Sequence, residues 1–470
     1  MHFALFFGLY KVLLFPTIFR RMRHLNQSRR GVKNIKHTNH YELPSVGEII
    51  RKVRSHRGMS QDALAEDAFS SRAMICQIEL GQSICQDYLL VSIKRALNIE
   101  HLPTSEAGRN EFKKKLYRWY GVIDERKQDE ATETRNKLSV IKFLPCDREL
   151  NTLFSLFDCK FHLLKNELDV AKQIMDAFEI DGLSDVQMYH YLCNQGVYHV
   201  KSKRNQEALD FYLKAHDLIN HGLGKNITLY YNIALCYERL GCYSRAAAFL
   251  EEACILYSQG QCNLSEFSLY NLLGVCYTCI GVLQRAKMSL DKAYSIVVKC
   301  HKENDNIATR TQLGLVYSNY GFMFRMAREW DRAIEYLDKS FEHFDKGSGY
   351  YLEALYQKAR ILVEVNDLLS ASSLITDGER MSNGNEVYLM MFDALRRLTN
   401  LNDDAAKYLE TKSIPYFLDN GLAMITLDYC SILKGRFKKI QDRGFKIRGL
   451  EMASKISDVR DELLKGGIIA

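Results

Sequence analysis

YNIALCYERLGCYSRAAAFLEEACIL, residues 231–256, reads as two amphipathic helices joined by a short turn. Its first helix carries a small residue, Ala234. Twelve residues later the second helix carries Ala246, followed at four by Leu250 and at seven by Ala253. The same offsets return in residues 193–218 (Gly196, Ala208, Tyr212, Ala215), 272–296 (Gly274, Ala286, Leu290, Ala293) and 319–344 (Gly321, Ala333, Leu337, Ser340). Two antiparallel helices approach closely only where small side chains face each other, and a bulky residue one turn away fills the groove beside them. One such hairpin cannot bury its apolar face alone, so successive hairpins must stack.

This pattern resembles the tetratricopeptide repeat. The alanines stand 38, 40 and 47 residues apart, longer than the consensus repeat, so the connections are extended. Weaker copies surround Ala171 with Cys159, Ala371 with Ala359, and Ala394 to Ala406. The expectation is seven to nine repeats over residues 146–470. Only 5 prolines interrupt the chain, which favours an all-α fold.

Charge is uneven. Residues 1–60 hold twelve Lys/Arg against two Asp/Glu, a balance of +10 within a total of +7, so the rest carries −3. A basic end suits a polyanionic partner, or is a solvated tail. Residues 1–40 are expected to be a basic extension. Its apolar run 1–19, followed by Arg20, Arg21 and Arg23, leaves two readings open: a start codon placed too early, with Met22 a candidate, or a membrane anchor. The 13 cysteines are scattered through apolar stretches and form no disulfide framework. That usage points to the cytoplasm. Cys276 and Cys279 form a lone C-x-x-C, short of the four ligands that zinc needs.

Residues 46–99, VGEIIRKVRSHRGMSQDALAEDAFSSRAMICQIELGQSICQDYLLVSIKRALNI, break into short helices. Ile49, Ile50 and Val53 give the first an apolar face, and Gly58 ends it. Ser60 caps a helix over Gln61–Asp67. Ser71 caps another that reaches Glu79 and stops at Gly81, and Leu89 to Leu97 form a closing helix. The run from Arg51 to Gln61, Leu64–Ala65, and Ser71 to Gly81 resemble the phage-repressor-like (Xre) helix-turn-helix family. The resemblance implies a five-helix DNA-binding domain over residues 41–102, with a linker helix over 103–145 ahead of the repeats. Ser71, Arg72 and Ala73, with Gln77 one turn on, would meet base edges in the major groove. Ser60 and Gln61 would meet phosphates. Arg54 and Glu79 would form a structural ion pair. Residues 46–97 hold seven Lys/Arg and six Asp/Glu, so one copy should bind DNA weakly and a homodimer on two half-sites is expected.

A helix-turn-helix followed by tetratricopeptide repeats resembles the Rap–Rgg–NprR–PlcR–PrgX superfamily of peptide-sensing regulators, its PlcR and NprR branches most. The resemblance implies a transcription regulator of quorum sensing, switched by a short signalling peptide in the concave groove. Two residues before the small residue of each first helix stand Asn194, Asn232 and Asn319, with Asn271 displaced by one. Asparagine is a poor helix-interior residue, and its amide can both donate to and accept from an extended peptide. Tyr231, Glu238, Phe322 and Arg325 would then select side chains. Asparagine at this position also stabilises hairpins, so a larger protein partner, or a dimerisation array without ligand, stays open. A Rap-like action on a response regulator is the further alternative.

No phosphate loop, H-E-x-x-H or G-x-S-x-G occurs. His190 and His199 fall off metal-ligand spacing, and Glu251–Glu252 and Asp403–Asp404 sit on polar faces. The sequence therefore points to no enzyme, no metal and no cofactor.

Overall fold

A computed structural model of the chain describes residues 46–99, 106–139, 148–219, 224–261, 264–303, 305–400, 402–420, 425 and 429. The basic extension 1–40, the apolar run within it and the repeats expected beyond residue 429 lie outside the described residues. Every regular element described is helical. No described helix is long and apolar enough to cross a membrane. The ten described cysteines are free thiols, and no described group of side chains could hold a metal ion. The chain divides into two compact units, one containing residues 46–198 and the other beginning at His199.

The first unit opens with α1 (Val46–His56), α2 (Gln61–Asp67), α3 (Arg72–Glu79) and α4 (Asp87–Ala96). These are four of the five helices expected for a repressor-like domain. Ile50, Val53, Leu64, Ile75, Ile78 and Ile93 form its core, each at most 2 % exposed. α1 and α3 touch backbone to backbone: a Cβ on Gly47 would lie 1.7 Å from the Ile78 carbonyl oxygen. Ser60 and Ser71 cap α2 and α3 by accepting from the Ala63 and Met74 amides.

The expected linker helix is two helices, α5 (Glu106–Asp124) and α6 (Gln128–Ser139). Arg126, at φ +59, turns the chain between them. Phe112, Leu116, Trp119 and Ile123 recur at helical spacing and are buried within α5. Trp119 is fully buried, donates from Nε1 to the Ala131 carbonyl at 2.9 Å and stacks on Phe154 of α7 (Arg148–Leu164). Arg135 of α6 forms a bidentate pair with Asp158 of α7, and Lys160 pairs with Asp124. This segment packs as a core, which its dense surface charge conceals in the sequence. α8 (Leu168–Asp176) and α9 (Asp185–Lys201) follow.

The second unit is a succession of helices: α10 (Asn205–Ile219), α11 (Ile227–Arg239), α12 (Tyr243–Ser258), α13 (Glu266–Cys279), α14 (Leu283–Glu303), α15 (Ile307–Met326), α16 (Trp330–Phe341), α17 (Gly349–Val365), α18 (Leu368–Met381) and α19 (Glu386–Thr399). α20 (Asp403–Tyr408), a π turn and α21 (Ile414–Asp419) close the described part. α11 pairs with α12, α13 with α14, α15 with α16 and α17 with α18, and each pair packs on the next. The spaced residues sit where the helices cross. Ala246, Ala286 and Ala333, and Leu250, Leu290 and Leu337, are all fully buried. A Cβ on Gly274 would come within 2.7 Å of Leu290, and one on Gly321 within 2.7 Å of Leu337. The fold is all-α and tetratricopeptide-like.

Gly47→Ala forces its new methyl into the Ile78 carbonyl. We expect a loss of about 1–3 kcal/mol from the packing of α1 on α3, read by urea unfolding of the full chain. Unchanged unfolding would refute the backbone contact.

Candidate nucleic-acid interface and ligand groove

Ser71, Arg72, Ala73 and Gln77 are all exposed on α3, at and just after its N-terminus. Met74, which the sequence reading left out, is exposed with them. Arg72 lies 3.7 Å from Asp62, with both side chains two-thirds exposed. Such a pair is worth little, and the guanidinium can leave it for a better partner. Ser60 is exposed at the start of α2.

Behind this edge lies a buried charge cluster. Arg54 donates from Nε to Glu79 Oε1 at 2.6 Å, from a second nitrogen to Oε2 at 2.9 Å, and from the third to the Met59 carbonyl at 2.8 Å. Glu79 is 3 % exposed. The hydrogen bond to Glu79 holds the Arg54 guanidinium above its ordinary pKa. Gln61 joins the cluster, donating from Nε2 to Glu79 Oε2 at 2.8 Å. The Gln61 side-chain amide is thus directed inward, joining α2 to α3.

The ligand residues fall into two groups. Asn194 lies in the first unit, is 2 % exposed, and donates to the Leu156 carbonyl at 2.8 Å. It fastens α9 to α7 and does not line a groove, which corrects the expectation for it. The others lie in the second unit. On α11, Thr228, Tyr231, Asn232, Leu235 and Arg239 keep solvent access, at the i, i+3, i+4, i+7 and i+11 positions of one stripe. On α15 the matching stripe includes Leu315, Ser318, Asn319, Phe322 and Met326. Asn319 donates from Nδ2 to Asn271 Oδ1 at 2.8 Å, tying α15 to α13 on this face. That bond leaves the Asn319 oxygen and the Asn271 nitrogen for other partners.

Arg325 lies over the Phe322 ring, 5.1 Å from its centroid, and 3.6 Å from Glu364 of α17. Arg360 reaches the same carboxylate at 3.2 Å. Arg325 and Arg360 are 5 % and 2 % exposed, so Arg325 is anchored in a buried network. The sequence reading missed Arg360 and Glu364. Their signal was an Arg and a Glu four residues apart among the apolar residues Ile361, Leu362 and Val363. Glu238 is 7 % exposed, and burial pushes its carboxyl up to about 7.

No protein-family model and no curated protein matches the sequence. Solved structures do. The apo form of the quorum sensor NprR from B. thuringiensis is 19 % identical, with a TM-score of 0.59 over 76 % of this chain and 99 % of that one. NprR in complex with its cognate peptide NprX is 18 % identical, with a TM-score of 0.54 over 74 % and 99 %. A Rap protein complexed with competence and sporulation factor is 15 % identical, with a TM-score of 0.61 over 75 % and 99 %. The chain shares the fold of these proteins.

Glu79→Ala leaves Arg54 without its carboxylate and Gln61 without its acceptor. The expected cost is about 3–5 kcal/mol, measured as a shift in the urea midpoint. A shift below about 1 kcal/mol would show that the cluster is dispensable.

Proposed function

We propose that this chain is a cytoplasmic, homodimeric transcription regulator. It binds operator DNA through α3, and a short signalling peptide in the groove of its repeats switches it. The observation that carries the DNA half is the exposed edge Ser71, Arg72, Ala73 and Gln77, held on a helix whose inner side is fixed by Arg54 and Glu79. Arginine reads guanine and glutamine reads adenine through paired hydrogen bonds in the major groove. Ser60 contacts phosphate with its hydroxyl, Ser71 meets a base edge, and Ala73 meets the thymine methyl. The Gln61 backbone, not its side chain, serves the phosphate contact at the start of α2.

The open stripes of α11 and α15, with Asn271 of α13 between them, support the peptide half. Asn232, Asn271 and Asn319 engage the peptide backbone, and Tyr231, Glu238, Phe322 and Arg325 meet its side chains. The fold is that of a quorum sensor solved with its cognate peptide, and this supports the same assignment. The fold likeness to a Rap protein favours a second reading, action on a phosphorelay partner through the helical units.

The test uses the full-length chain and DNA from upstream of its own gene. Arg72→Ala and Gln77→Ala should each weaken binding by about 5- to 150-fold, the equivalent of 1–3 kcal/mol. A synthetic peptide from a neighbouring small reading frame should change the affinity. DNA binding untouched by both substitutions would refute the readout. No DNA binding, together with loss of phosphate from a response regulator, would favour the second reading.

A further inference from the structure

We propose that Glu238 is the subsite at which the groove receives a cationic group of its ligand, a lysine or arginine side chain or an N-terminal ammonium. The inference rests on the peptide-groove reading and adds the charge that the ligand carries at one place. Glu238 lies three residues past Leu235, at the edge of the open stripe of α11. The position four residues after the small residue repeats through the stack as Glu238, Thr278 and Arg325. Thr278 is satisfied within its own helix, donating to the Gly274 carbonyl at 2.8 Å. Arg325 has Glu364. The Glu238 side chain makes no hydrogen bond or ion pair with any described residue, although it is more than nine-tenths buried.

The one described cation that acts on the Glu238 carboxyl is Arg239, which lowers its pKa less than burial raises it and forms no ion pair with it. Arg239, next in the chain, turns to Asn205 and donates to Oδ1 at 3.3 Å. The groups that face Glu238 are Arg239 and Cys236 on α11 and Cys276 on α13. Burial pushes both thiols up, so they stay neutral. A carboxylate without a partner is costly to bury, and this one instead holds a proton up to about pH 7. A cation delivered by a ligand would expel that proton and complete a desolvated ion pair. The residual 7 % exposure leaves the group a way to be reached.

The experiment uses the full-length chain and pools of labelled peptides about seven residues long, some 23 Å when extended. Each position is fixed in turn as Lys or Ala, with the N-terminus free or acetylated, and binding is read by fluorescence anisotropy at pH 6 and pH 8. At pH 8, Lys at one position should bind about tenfold tighter than Ala there. If the ammonium is the source, the free N-terminus should instead beat the acetylated one by about as much. Because proton and cation compete, the preference should fall up to about tenfold per pH unit below 7. Glu238→Gln should abolish it, and Glu238→Asp should restore part of it. A preference that survives in Glu238→Gln, or no preference in the wild type, overturns the subsite and leaves the groove. Failure to bind any pool overturns both.

Discussion

The second unit depends on one steric condition: at each hairpin crossing, a helix must present almost nothing. The Cα of Gly321 faces Leu337, and that of Gly274 faces Leu290, at distances that already exclude a methyl group. Fully buried alanines on the second helices take the other side of the same contact. Backbones that come this close leave no room for the apolar face to turn elsewhere, so each hairpin offers its remaining surface to the next one. The first helices then keep one stripe open. Tyr231 and Asn232 on α11, and Asn319 and Phe322 on α15, stand on such a stripe because packing has claimed the other faces of their helices.

The first unit solves a different problem. Its first four helices form a small core, and their few apolar side chains are reinforced by a charge cluster that spans three helices. Arg54, Gln61 and Glu79 come from α1, α2 and α3, so a single buried carboxylate orients all of them. The outward face of α3 is thereby free of structural duty. This division of labour explains how a domain with nearly balanced charge can still show an exposed polar edge.

The repeats were legible because steric demands fix residue size at set offsets, and size is written directly in the sequence. Arg54 and Glu79 were placed through resemblance to a family, not through spacing. What stayed hidden depended on distant partners. Nothing local tells the Gln61 amide that Glu79, eighteen residues on, will take it. Nothing tells Asn194 that the Leu156 carbonyl lies against it, thirty-eight residues earlier. The α5 stripe of Phe112, Leu116, Trp119 and Ile123 was present in the sequence, but the lysines between its members drew the reading toward an exposed linker.

Hairpins that touch only their neighbours make a linear elastic body. Each interface contributes a small rotation, and the rotations sum along the stack. The Asn271–Asn319 bridge is a cross-tie on such a spring. Exchanging that amide bond for bonds to an inserted strand would retune the pitch at one joint, and every hairpin beyond it would swing by the accumulated angle.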